Sequence, residues 1–440
     1  MEITKKRVFL LVSKVIFILV LFYLIGFPNY SIENSQTVEY EGDYEFELVP
    51  ISELFIDENL SEIISNTLNV LIEEREITAQ SVVTQAELNR ITHLSANQNS
   101  IKCLTGMEYL ENLREFYASF NEITDLTPIS KLVNLDILNL ENNEISDLSP
   151  LSDSIALREL NLSNNHIHDI SPLENLNLSR LTLDNNNISN LNPLSDILEL
   201  SFLSLNDNNI ADISPLSTLE PLHLQLNGNI IKDMSPLRNL ERLEHLELGD
   251  NNISNIIPLD GTILWLNLEG NSISDLAPLS YFYNSSLQVL ILNRNQITDI
   301  TPLKQLGMLT WLDLGHNQIS EIDPLSNLFW LRRLDLNDNK INNVEPLFYL
   351  DTDWFRFLDL RNNDIIDISP ISDLNLTWLN LDGNSINDID VSSNIFKNIS
   401  CEVWDDFFNS DLTLIPSHGS LSFPAPLHGM GKIVESLSCY

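Results

Sequence analysis

The chain has 440 residues, with 63 Asp plus Glu against 23 Lys plus Arg, which gives a formal charge of -40 at pH 7. A field this negative repels nucleic acid and anionic lipid, and three cysteines without a CxxC spacing exclude a disulfide scaffold or a Cys-rich zinc centre. Length alone does not count domains here, because a repeat solenoid grows by stacking rather than by enlarging one core.

Residues 1–28 differ in character from the rest of the chain. Lys5, Lys6 and Arg7 precede a run from Val8 to Phe27 broken only by Ser13 and Lys14. About 20 such residues suffice to cross roughly 30 Å of hydrocarbon. The run reads as an export signal or an anchor, with the basic cluster cytoplasmic and everything after Pro28 outside. No small-x-small site lies between Leu24 and Asn29, which favours an uncleaved signal anchor over a cleaved signal peptide. Residues 29–48 are polar and acidic, as a linker would be. In 49–90, Ile63, Ile64, Leu68, Leu71 and Ile72 recur at helical spacing, predicting an amphipathic helix over Leu54–Ile72 and a shorter one from Thr84 to Asn89. Together they would cover the open end of a hydrophobic stack.

From 91 to 390 the phrase Leu-x-Leu-x-x-Asn-x-Ile recurs fourteen times. Its Asn falls at Asn99, Asn121, Asn143, Asn165, Asn186, Asn208, Asn229, Asn251, Asn271, Asn295, Asn317, Asn339, Asn363 and Asn384. Twelve of the 18 prolines share one register from Pro128 to Pro370. Each position has a physical reason. In Ile137–Glu141 the period of two turns Leu138 and Leu140 inward and Ile137, Asn139 and Glu141 outward. Where the chain leaves the strand, a buried Asn can donate to and accept from backbone groups of its own and the neighbouring coil. The following Pro fixes φ and needs no donor, so the return is a tight 3₁₀ or irregular segment and the rod curves.

Repeats reading Leu-x-x-Leu-x-Leu-x-x-Asn-x-Ile-x-Asp/Glu-Leu/Ile-x-Pro-Leu, as at 135–151 and 309–325, resemble those of the internalins and related bacterial surface proteins. The segment from Ile56 to Leu60, then a helix, then Ala86–Leu94, is similar to the helical cap of that family. The resemblance implies a curved leucine-rich repeat solenoid of the α/β class with a parallel concave sheet. It also implies export to the cell envelope, anchored or secreted, and a protein ligand on the concave face. It implies no cofactor and no metal. Internalins often continue into an immunoglobulin-like module and a Leu-Pro-x-Thr-Gly signal; no such motif occurs here, so sortase attachment is not expected. Residues 391–440, with Ile395, Phe396, Val403, Trp404, Phe407 and Phe408, are expected to close the last coil. A cytosolic phosphatase-regulator type of repeat protein uses a similar unit, but the apolar N-terminus and the cap argue against it.

Catalytic motifs are lacking: there is no GxSxG, P-loop, HExxH or GxGxxG. His166 and His168 fall in variable loop positions and read as surface polar residues. Candidate binding residues lie in the outward columns of the sheet, where equivalent positions of successive coils stand about 4.8 Å apart. The position before the first Leu of Leu-x-Leu supplies Phe202, Trp265, Trp311, Arg333, Phe357 and Trp378, and the central position supplies Asp313, Asp335 and Asp359. An aromatic stripe thus borders a carboxylate stripe. Exposed aromatics are enriched in interface hot spots, and stacked aspartates favour a cationic group. A protein ligand, basic where it meets the aspartates, is the expectation, with a glycan stacked on the tryptophans as the alternative. Two repeats, Asn271 to Asn295 and Asn339 to Asn363, carry extra residues near Tyr281–Ser286 and Leu350–Asp353, which should bulge on the convex side and leave the columns aligned.

Overall fold

The structure, a computed structural model, describes residues 49–72, 75–259, 262–282, 286–350 and 354–386. The apolar run Val8–Phe27, the acidic linker and the tail expected to close the last coil lie outside these residues. Among the described residues no helix is long and apolar enough to cross a membrane.

The chain begins with a helical cap: α1 (Ile51–Leu54), α2 (Glu58–Leu71) and α3 (Gln85–Leu88). The helix expected from Leu54 onward starts instead at Glu58, because Asp57 is extended and accepts from the N–H groups of Asn59 and Leu60. Its other carboxylate oxygen accepts from the backbone N–H of Lys102 at 2.9 Å and of Cys103 at 3.3 Å, tying the cap to the first coil. Leu60, Ile64, Leu68 and Ile72 face the stack, whereas Leu71 is 39% exposed, against expectation, at the last turn. The short α3 carries a capping box between Thr84 and Glu87.

Fourteen strands come next, from β1 (His93–Ser95) to β14 (Trp378–Asn380), each three residues long and paired in parallel with its sequence neighbours. The sheet is open, and the two longer repeats keep register: Trp265 pairs with Val289, and Arg333 with Phe357. Inward leucines such as Leu138, Leu140, Leu312 and Leu314 are fully buried, and the core is a continuous stack of such layers.

The Asn ladder holds this stack. Asn143 Nδ2 donates to the carbonyls of Ala118 and Leu140, each at 3.0 Å, and its Oδ1 accepts from Ile123 N–H at 3.0 Å, so one amide stitches three segments in two coils. The same pattern recurs from Asn121 to Asn384. Asn99 is the exception: it is only half buried, and its side-chain amide donates to the Asn97 carbonyl alone. The residue before each ladder Asn is left-handed, including Asn142, Asn164, Asp207 and Gly228, which explains why Asn, Asp and Gly dominate there.

Convex returns are 3₁₀ turns such as Ser149–Leu151, with Pro at the start. Asp147 accepts from Ser149 N–H at 2.8 Å, and Asp169, Asp212, Asp233, Asp299 and Asp367 repeat the contact. Part of the acidic excess is therefore a structural requirement of the repeat, two residues before each turn.

Candidate binding face

The column expected to carry exposed aromatics is instead a nearly unbroken stack. The Arg180 guanidinium sits 3.7 Å from the centroid of Phe202, which is only 8% exposed. Phe202 leads to His223 at 6.0 Å, His223 to His245 at 5.5 Å, and His245 to Trp265 at 5.1 Å. Trp265 meets Trp311 edge-on at 5.4 Å, across the buried Val289. Arg333 lies between Trp311 and Phe357, 4.5 and 4.4 Å from their centroids, and Phe357 stacks on Trp378 at 4.0 Å. In-register parallel strands bring like positions to about 4.8 Å, close to ring-stacking distance, so any planar side chain repeated in this column stacks. Trp265, Trp311, Phe357 and Trp378 remain half-buried, each with part of a ring on the concave face. The indole N–H groups of Trp265, Trp311 and Trp378 are buried without a hydrogen-bond acceptor among the described residues.

The carboxylate column is deeper than an exposed stripe. Asp313, Asp335 and Asp359 pair in register, with Asp335 8% and Asp359 1% exposed. Burial pushes all three carboxyls above the usual range, and neighbouring aspartates add to it for Asp313 and Asp359; Asp359 reaches about 7. The Asp335 carboxylate also accepts from the Asn337 backbone and side chain. The cations that such a column demands are supplied within the chain: Arg361 lies 3.5 Å from Asp359, and all three aspartates act on the half-buried Arg333, although burial still leaves its guanidinium below its ordinary value.

His223, His245 and Glu247 stand in the outward columns read from the sequence but were not among the candidate binding residues. His245 Nε2 lies 2.7 Å from Glu247 Oε1, and that contact, with amides from Asn227 and Gln225, holds the buried Glu247 low against the opposing push of burial. Burial, with His245 beside it, lowers His223. Arg180 heads the stack from a position where only its place in the column could have signalled it. Outside the sheet face, Met308, Trp330 and Trp354 are exposed at one register position just before three successive strands, a departure from the polar residues at that place in earlier repeats. His166 and His168 are exposed, as expected. Among the described residues no group of three or more His, Cys, Asp or Glu could hold a metal ion.

Models of leucine-rich repeats match residues 111–153, 156–176, 263–319 and 308–349. Among curated proteins, none matches this chain. Among solved structures, an internalin, InlF of Listeria monocytogenes, is 34% identical over 80% of this chain and 96% of its own, with a TM-score of 0.66. A leucine-rich repeat protein of Leptospira interrogans shares the fold at 22% identity over 69% of this chain and 93% of its own, TM-score 0.54. So does the plant peptide hormone receptor RGFR1, solved with RGF2, at 22% identity over 69% of this chain and 57% of its own, TM-score 0.55. With repeat period, cap, ladder and sheet all in agreement, the chain belongs to the internalin family of leucine-rich repeat proteins.

Proposed function

We propose that the chain is an extracytoplasmic, non-catalytic recognition module that binds a protein ligand on the C-terminal half of its concave face. The anchors are Trp265, Trp311, Phe357 and Trp378, with Phe202 at the far end and Arg333 between the rings. The observation that carries this reading is the set of half-buried rings whose three indole N–H groups have no acceptor among the described residues. A stack selected only for stiffness would satisfy those donors, since each orphan costs about 1–3 kcal/mol; a partner offering carbonyl or carboxylate acceptors would recover that cost after a small ring rotation. Asp335 and Asp359 are too deep to touch a partner and act instead by fixing Arg333 and setting the local potential. The basic partner suggested by a free acidic stripe is correspondingly replaced by one with acceptors for the indoles.

Two measurements test the reading. Protease added to intact spheroplasts should degrade the repeats, and full protection would sink the extracytoplasmic assignment. Immobilised full-length protein should retain a defined protein from biotin-labelled cell-surface extracts, and Trp311→Ala should weaken that retention at least tenfold without lowering the melting temperature. Unchanged retention would remove Trp311 from the interface.

A further inference from the structure

The N-terminal half of the concave face is built from different chemistry. Across the strands from Glu115–Tyr117 to His223–Gln225 a cavity of about 560 Å³ opens on the sheet. Its central column is Asn139, Asn161 and Thr182, its side is formed by Glu141 and Asp184, and Tyr117 and Phe202 stand at its two ends. The volume is that of a small-molecule site, but such sites are normally lined by apolar groups, and this one is lined mainly by amides, hydroxyls and carboxylates. Backbone groups of the sheet are consumed by strand pairing, so recognition here falls to side chains.

Those side chains are fixed. Ser204, 1% exposed on the cavity floor, donates to Asp184 at 2.6 Å and bonds Gln225 at 3.0 Å, while Asp184 also accepts from Asn206 N–H. Asn161 is held by Glu141 on one side and by Ser163 N–H on the other. Among the described residues the Thr182 hydroxyl and the Asn139 amide nitrogen have no hydrogen-bond partner, and both residues line the cavity.

We propose that this cavity binds a neutral oligosaccharide. Amides, carboxylates and hydroxyls that each offer both or either role match vicinal hydroxyls, which donate and accept alike. Sheet columns about 4.8 Å apart present such groups at intervals comparable to one pyranose ring. Tyr117 offers an aromatic face at one end. Glu141, Glu159 and Asp184 outnumber Arg180, whose guanidinium is held on the Phe202 ring, so an anionic glycan is disfavoured. A protein or peptide ligand would favour tryptophan-type hot-spot anchors, and on this sheet the tryptophans belong to the other half. The cavity shares Phe202 with the aromatic column but is lined by none of its tryptophans.

The test is a printed array of neutral, sialylated and sulfated glycans probed with the full-length protein, Thr182→Trp, Asn161→Ala and the Trp265, Trp311, Trp378 triple alanine variant. Thr182→Trp fills the cavity, and Asn161→Ala removes a donor should the larger side chain perturb folding, which a melting curve reveals. Neutral glycans should be retained, at least tenfold more weakly by either cavity variant and undiminished by the triple variant. Retention of only charged glycans, of none, or of neutral glycans unaffected by both cavity variants overturns the proposal. Loss in the triple variant alone would move the site to the tryptophan stripe and equally overturn it.

Discussion

Arg333 lies with its guanidinium carbon 4.5 Å from the centroid of the Trp311 ring, one strand away in register. The same residue acts on Asp313 and Asp335, while Arg361 lies 3.5 Å from Asp359, so one side chain joins the aromatic and acidic columns. Replacing it by Met keeps much of the packing and removes the charge. Because Asp313 would lose its compensating charge and Asp335 would keep only Arg361, Arg333→Met should lower the melting temperature at pH 7 more than at pH 4, where the aspartates are protonated. Equal losses at both pH values would mean that Arg333 acts only by packing.

Asp359 should make stability fall as pH rises. Its carboxyl sits at about 7 in the fold against an ordinary 3.8, so between those values the folded chain binds more protons than the unfolded one. Its favourable contribution is complete below about pH 4 and lost as pH passes 7. Asp359→Asn should therefore stabilise the protein at pH 8, by an amount on the order of a few kcal/mol, and have little effect at pH 4. His223 titrates in the opposite sense, being held neutral, and the surface aspartates that cap the 3₁₀ turns are held low and lose their effect in acid. The difference between wild type and Asp359→Asn cancels both. A difference independent of pH would contradict the assignment.

Asn143→Ala should cost about 1–3 kcal/mol, since it orphans the Ile123 N–H and leaves the Ala118 and Leu140 carbonyls with only the neighbouring ladder amides of Asn121 and Asn165. Asn208 and Asn317 make the same contacts and should behave alike. Asn99→Ala, with one local bond to lose, should be milder. Denaturant unfolding measures all four, and a ladder variant no less stable than wild type would show the amide to be dispensable.

The repeat, its ladder and the Pro register were legible because each rests on local chemistry repeated fourteen times. That the two longer repeats keep the sheet columns aligned was legible for the same reason, since their extra residues follow the Pro-Leu; the expected convex bulges fall largely outside the described residues. Burial of Asp335 and Asp359, and the placing of Arg333 between Trp311 and Phe357, were not legible. Both arise from how columns of neighbouring strands lean on one another, which period and composition do not encode. The polar cavity around Asn161 was passed over because amides and hydroxyls in a repeat read as solvent-facing until strand register gathers them.

Phe120 occupies the left-handed position at φ 57 with its ring 51% exposed, where most other repeats place Asn, Asp or Gly. A bulky residue there is strained without compensating burial. Phe120→Asn should raise stability by about 0.5–1 kcal/mol. A loss of stability would show that the ring makes contacts which outweigh the strain.

Half-buried tryptophans on the C-terminal concave face are assigned here as the hold on a protein ligand. The most direct test is the affinity of the ligand captured by the full-length protein for the Trp265, Trp311, Trp378 triple alanine variant, measured beside its melting curve. Binding should weaken by at least a hundredfold, about 2.7 kcal/mol, in a variant that still unfolds cooperatively. Undiminished affinity in a folded triple variant would contradict that assignment and place the ligand elsewhere on the solenoid.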